Sequence, residues 1–342
     1  MAQPLRIGIA GAGRIVRAEH APRFRAIDGV ELAAVANRTL ESSKRAAADL
    51  GIPRALADWG ELVLDEEIDA VMVGAWPHLH AAMTIAALEA GKHVLTEARL
   101  AVDSVEAAAI VESALAHPGQ VAMVVPGSFS LWADRAIMRV LGDGSIGRLL
   151  GVRVVWGAGA DDPAEHWRWQ RRYSGSNTMA LGIVYESLAR WLGQAEWLSA
   201  ETRIIQPRKP GPDGRLIPTD IPDHVLAIVG FPGEVLVNVE MSVRSLRGHG
   251  NAAHFFGTDG TLEIDFTKQK MEIRDMAGVA RPVEIAPSER DEWRVERDFV
   301  AAIRGQQIDE QTDLATAVRY MRFVDAVHES SWSGERVVLA IE

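Results

Sequence analysis

The stretch Pro4–His20, PLRIGIAGAGRIVRAEH, constrains the fold of this chain more than any other. Leu5, Ile7 and Ile9 form a short apolar run, Gly11-Ala12-Gly13 follows directly, and a helix-like segment begins near Ile15. A strand that enters a glycine-tight turn and then a helix lets the backbone approach a ligand closely. The helix-start N–H groups favour negative charge, and a pyrophosphate suits both features. Gly-x-Gly alone is weak, but here it opens a complete strand–turn–helix–strand unit, the context that gives the motif meaning.

The alternation continues to about residue 125. A helix is expected over 15–27, interrupted at His20-Ala21-Pro22, with strands over 30–36, 68–73, 92–96 and 121–125. Further helices are expected over 39–50, 77–90 and 105–117, with Gly51 and Gly91 as stops. Strands separated by helices of this length predict an α/β doubly wound parallel sheet. From Leu149 onward, strand-like runs follow one another at 149–156, 200–205, 225–231, 235–243, 253–256 and 261–266. Turn signals lie at 231–234 and 257–260. Helices are expected at 134–141, 181–192, 292–303 and 314–331, and the Pro/Gly-rich stretch 206–222 reads as a surface loop. The second half is therefore α+β with a mainly antiparallel sheet. The expected domains are 1–125, binding a dinucleotide, and 126–342, carrying the substrate side.

Charge and composition exclude several functions. Across 342 residues, 36 Lys plus Arg against 47 Asp plus Glu leave a formal net charge of -11, which argues against nucleic-acid or anionic-membrane partners. The absence of cysteine excludes disulfides, thiolate catalysis and cysteine-ligated metals. No signal peptide is recognised and no apolar run approaches about 18 residues, so a cytoplasmic protein is expected. His249 and His254 flank a Gly-rich turn, but no carboxylate completes a metal set, and no metal is expected.

Gly11, Gly13, Arg14 and Ile15 are the candidates to wrap the pyrophosphate, with Val16 at the usual third glycine position. At the end of the second strand, NAD-binding folds usually carry an acidic residue on the ribose hydroxyls. This chain has Asn37-Arg38-Thr39. An Arg with a neighbouring hydroxyl suits a ribose 2′-phosphate, so NADP is favoured and NAD is the alternative.

Several longer stretches complete the picture: PHLHAAMTIAALEAGKHVLTE at 77–97, SIGRLLGVRVVW at 145–156, WRWQ at 167–170, YSGSNTMALGIVYESLARWLG at 173–193 and GTDGTLEID at 257–265. With the opening motif they resemble the glucose-fructose oxidoreductase / inositol dehydrogenase / MocA family over nearly the whole chain. The resemblance implies a Rossmann domain followed by an open sheet with helices on one face, and homodimers or homotetramers joined through that sheet. It implies that Trp76, Pro77, His80, Glu97, Trp167 and Arg168 line the nicotinamide side, with a small substrate beside them. It also exposes departures. Ala98, Ala180 and Val184 stand where the family keeps the Lys, Asp and His of proton transfer, and none of the three can move a proton.

Tyr185, His166 and Glu97 are then the candidate acid–base groups, and Arg99, Trp156 and Glu186 the candidate substrate contacts. Three of them have a bland counterpart: for Tyr185 a phenol packed at a seam, for Glu97 a buried carboxylate holding loop backbone, and for Arg99 an arginine marking a re-routed loop. The expected activity is hydride transfer between a nicotinamide cofactor and a small sugar-like or aromatic molecule. A cofactor-retaining lyase, hydrolase or dehalogenase is the enzymatic alternative. A catalytically silent nucleotide-binding regulator is the alternative from another class.

Overall fold

In the computed structural model, residues 3–157, 162–243 and 250–339 are described, and the chain divides into two compact units. His249 lies outside the described residues. The first unit holds the chain up to Pro126 together with Arg294–Met321, and the second holds Gly127–Trp293 and the chain from Arg322 onward. This corrects the expected division at residue 125, because 294–321 packs with the first unit rather than the second.

The first unit is built on six parallel strands: β1 (Leu5–Ala10), β2 (Val30–Ala36), β3 (Arg54–Leu56), β4 (Ala70–Val73), β5 (His93–Thr96) and β6 (Ala122–Val124). Their spatial order is β3-β2-β1-β4-β5-β6, with every neighbouring pair parallel. Such strands are covered on both faces and read as nearly unbroken apolar runs; all four residues of β4 are fully buried. The connecting helices are α1 (Ala21–Arg25), α2 (Leu40–Leu50), α3 (Trp59–Leu64), α4 (His80–Glu89) and α5 (Ser104–Ala116). Leu62 and Val63 of α3 and Met83, Ala87 and Leu88 of α4 share one apolar core with Val71 and Val73.

Local chemistry sets the boundaries. The Thr39 hydroxyl accepts from Ser42 N, and Gly51 closes α2 in the left-handed conformation at φ 58°. Asp58 and Asp103 cap α3 and α5 in the same way. The expected helix over 15–27 is a π-helical turn, Val16–His20, followed by α1, with Pro22 in the first turn where its missing N–H is tolerated. Both β3, with three residues, and α3, with six, lie in a stretch that the sequence reading left without elements.

The second unit carries β7 (Leu149–Trp156), β8 (Trp197–Arg203), β9 (Arg208–Pro210), β10 (Leu216–Pro218), β11 (His224–Phe231), β12 (Val235–Ser242), β13 (Asn251–Gly257), β14 (Gly260–Asp265), β15 (Lys270–Asp275), β16 (Ala280–Pro282) and β17 (Val337–Val338). Nine of these form one sheet in the order β16-β15-β14-β13-β7-β12-β11-β8-β17. Its pairs are antiparallel except β12 with β7. The expected loop at 206–222 contains the β9–β10 hairpin, where buried Lys209 lies 3.6 Å from buried Asp223.

Helices of this unit are α6 (Asp134–Gly142), α7 (Arg171–Ser174) and α8 (Leu181–Leu192); α9 (Val295–Ile303) belongs to the first unit, and α10 (Leu314–Ser333) contributes residues to both. Tyr185 and Trp191 of α8 meet Phe231 and Phe255 of the sheet, and Ser330 of α10 accepts from Ala200 N. Residues alternate along the strands. Val225, Ala227 and Val229 are therefore buried on one face while Leu226 and Ile228 remain exposed on the other. None of the described helices is long and apolar enough to cross a membrane.

Candidate functional site

In the first unit, β1 and β4 lie side by side at the point where the strand order reverses. Ligands of open α/β sheets bind outside the strand carboxyl ends at such a switch point. The turns after β1, β2, β4 and β5 begin at Gly11, Asn37, Gly74 and Glu97, so this edge gathers most of the expected cofactor residues.

Gly11 has φ +93°, and a Cβ there would come within 2.7 Å of Ala75 N, so only glycine fits. A Cβ on Gly74 would lie 2.2 Å from Val16 Cγ2 and 2.6 Å from Gly11 O. Val16 thus occupies the space that Gly74 leaves open, and the close approach usually provided by a third glycine is made from the opposite side. Gly13 is exposed, and a Cβ there would meet only Gly74 O at 3.6 Å, which leaves this backbone open to a ligand. Arg14 is exposed beside it and Ile15 is half-buried.

The residues after β2 divide their work. Ala12 N donates to Asn37 Oδ1 at 2.8 Å, and Asn37 Nδ2 donates to Ser42 O at 3.1 Å. Asn37 therefore braces the glycine turn, and Thr39 caps α2. Arg38 is exposed and makes no hydrogen bond or ion pair among the described residues. Of the three expected cofactor residues here, the cation is the one left available.

Trp76 is half-buried and Pro77 opens the short turn leading into α4. His80 is buried, with Nδ1 3.0 Å from Arg99 O and Nε2 2.9 Å from Ala75 O. Burial holds its pKa below the usual histidine value. The neutral ring has a single N–H, so it donates to one of these two carbonyls and only packs against the other. His80 thus sits buried between the turn after β4 and the turn after β5.

Glu97 N donates to Val73 O, Ala98 N donates to Glu97 Oε2 at 3.2 Å, and Glu97 Oε1 lies 2.9 Å from His20 Nε2. His20 is fully buried, and its Nδ1 lies 2.6 Å from Glu296 Oε1. Burial works against a charge on this ring, but hydrogen bonds to Glu296 and Glu97 outweigh it and raise the pKa to about 9. Sequence reasoning missed His20 and Glu296. The only local signal was a histidine just past the glycine turn, and Glu296 lies 276 residues away. The Ala98–Arg99 peptide is cis. Arg99 is buried at 6% exposure.

The second unit places its candidates differently. Tyr185 is 4% exposed, its ring stacks on Phe323 at 4.1 Å, and its hydroxyl accepts from Ala195 N at 3.3 Å. It is a core phenol with its oxygen engaged, a correction to its candidacy in acid–base chemistry. Glu186 is 1% exposed, accepts from Gly127 N through both oxygens at 3.1 Å and pairs with Arg190 at 3.0 Å. That corrects its expected substrate contact. Trp156 is buried edge-on against Phe129 at 4.5 Å and near Phe266, so it is an aromatic core residue and not a substrate platform.

His166 and Trp167 are half-buried in the Pro163–Trp169 turn, where Arg168 covers the Trp167 ring at 4.2 Å and pairs with Glu165 at 2.7 Å. Ala180 occupies the N-cap of α8, and Val184 is buried within it. Among the described residues, no group of three His, Asp or Glu side chains could hold a metal ion.

Comparisons with known proteins agree with this geometry. Residues 5–125 match the model of an oxidoreductase family with an NAD-binding Rossmann fold (GFO_IDH_MocA), and residues 135–263 match the GFO/IDH/MocA C-terminal domain. Levoglucosan dehydrogenase of Pseudarthrobacter phenanthrenivorans is 28% identical over 69% of this chain, a match that spans 65% of the relative, just under two thirds of its length. Inositol 2-dehydrogenase of Acidothermus cellulolyticus is 29% identical over 76% of this chain and 72% of its own. A solved oxidoreductase domain protein from Kribbella flavida superimposes with a TM-score of 0.82 at 24% identity, over 99% of this chain and 100% of that one. Levoglucosan dehydrogenase in complex with NADH and levoglucosan superimposes at 0.81 and 22% identity, over 98% and 99% of the two chains. With both family domains matched in order, this chain belongs to the GFO/IDH/MocA oxidoreductase family.

Proposed function

We propose that this protein is an NAD(P)-dependent oxidoreductase of a small sugar-like molecule, that NADP is its preferred cofactor, and that Glu97 serves proton transfer. The observation that carries the reading is the turn after β1. Gly11 is locked against Ala75 while Gly13 stays exposed with room where a Cβ would stand. That shape fits a pyrophosphate.

Gly11, Gly13, Arg14 and Ile15 would hold the pyrophosphate and Arg38 the ribose phosphate, with Trp76 and Pro77 on the nicotinamide side. The bound nicotinamide supplies hydride chemistry; orientation and the proton are left to this chain. Glu97 combines the carboxyl-edge position with a partly exposed, protonatable side chain. Sugar and polyol names among the relatives support the substrate class, and none of those relatives carries a lyase, hydrolase or dehalogenase name.

The test is a binding titration with NADPH and NADH, followed by turnover of a panel of polyols and anhydrosugars read by reduced-nicotinamide absorbance. NADPH should bind more tightly, and Arg38→Ala should weaken it roughly tenfold, about 1.4 kcal/mol, while leaving NADH unchanged. A protein that binds neither dinucleotide overturns the reading.

A further inference from the structure

Three ionisable groups from distant parts of the chain meet inside the first unit: His20 at the end of the π-helical turn, Glu97 after β5 and Glu296 in the first turn of α9. Both ring nitrogens of His20 face carboxylate oxygens, at 2.6 Å for Glu296 and 2.9 Å for Glu97. An ionised carboxylate only accepts, and a neutral imidazole has a single N–H. A neutral ring would set one nitrogen lone pair against a carboxylate lone pair. An imidazolium makes both contacts charge-assisted hydrogen bonds. The three groups are not equivalent, because the His20 and Glu296 side chains are 0% and 1% exposed while Glu97 keeps 15%. Glu296 therefore fixes the charge of the ring from the buried end. Only Glu97 has an edge that a ligand can reach.

We infer that His20 is a positioning residue for Glu97: held as an imidazolium by Glu296, it pins Glu97 Oε1 and fixes the outer edge of that carboxylate beside Ala98, where the family's lysine is missing. The inference rests on the proposed role of Glu97 in proton transfer. Several other charged groups on the elements packed here have their own partners. Arg17 pairs with Asp49, Glu19 with Arg23, and Arg294 with Asp298. His80 of α4 lies between two carbonyls, and Arg99 next to the turn is buried.

The first arm of the test needs no cofactor and no turnover: a nitrogen-resolved NMR titration of the histidine rings. Both His20 nitrogens should stay protonated above neutral pH, with a midpoint near 9, and Glu296→Gln should lower that midpoint by about one unit, tenfold in proton affinity. The second arm is kinetic. Glu296→Gln should keep its NADPH dissociation constant and KM and lose roughly ten- to a hundredfold in kcat. The alkaline limb of its pH profile should move down together with the ring midpoint, and Glu296→Asp should recover part of the loss. His20→Gln, which retains one donor and cannot be charged, should lose that limb. A ring that is neutral at neutral pH, or an alkaline limb unmoved in Glu296→Gln, overturns the inference. Charged His20 in a protein that turns over nothing in the panel overturns the functional reading instead, and with it the role assigned to Glu97.

Discussion

Residue 16 carries a valine where a dinucleotide fold ordinarily keeps glycine, and the accommodation is made at Gly74. Gly74→Ala should therefore disturb the cofactor turn, because the new methyl meets both the valine and the Gly11 carbonyl. We expect a loss of about 1–3 kcal/mol by denaturant unfolding, together with weakened dinucleotide binding. Adding Val16→Ala should restore only part, since the clash with Gly11 O remains. At Tyr185 the expectation is the opposite for activity. Tyr185→Phe removes one acceptor from a buried backbone N–H and should cost about 1 kcal/mol in stability with kcat intact; a large fall in kcat would return this phenol to the chemistry. His20 ties stability to pH. Its folded pKa, near 9, lies above the unfolded value of 6.5, so its contribution is fully present below 6.5 and is lost as pH rises through 9. The contribution is on the order of 3 kcal/mol. Urea midpoints measured across that window should fall, and Glu296→Gln should flatten the fall.

At the scale of elements, α8 keeps its charged residues away from its N-terminus. Ala180 stands at its N-cap and Val184 in its first turn, and its charge lies further along at Glu186 and Arg190, where Arg190 pairs with both Glu186 and Asp134. Trp191 Nε1 also donates to Asp134 at 2.8 Å. The helix is thus anchored to α6 and to Gly127 N by one half-buried guanidinium between two buried carboxylates. Arg190→Met should be severe, about 3–5 kcal/mol, because it strands both carboxylates without a cation. Thermal unfolding measures this directly, and a shift within error of the wild type would show the pairs to be dispensable. The element limits that sequence reasoning found best, β2, β7 and α8, have strong local signals: unbroken or alternating apolar runs closed by polar or glycine residues. Among the missed strands, β3, β9, β10 and β16 have three residues each, too short for any periodicity to register, and β15 has only Met271 and Ile273 to carry an apolar alternation.

For the whole molecule, the open face of the nine-stranded sheet is the feature with the widest consequence. Leu226, Ile228, Leu236 and Phe256 are 42–50% exposed there, more apolar surface than a sheet facing only water usually carries. We expect this face to join copies of the chain. Ile228→Glu should reduce the mass measured by light scattering without lowering the stability of the separate chain, and an unchanged mass would exclude this face. The sequence by itself determined the two fold classes and the glycine turn, because those depend on periodicities and on steric rules acting within a few residues. The resemblance read from it implied that Ala98, Ala180 and Val184 stand where the family keeps its proton carriers. Tertiary structure alone decided the rest. It returned 294–321 to the first unit, buried Tyr185 and Glu186 in packing roles, and brought Glu296 across 276 positions onto His20 and Glu97. The charge of a buried imidazole depends on which carboxylates surround it, and a linear sequence does not record that proximity.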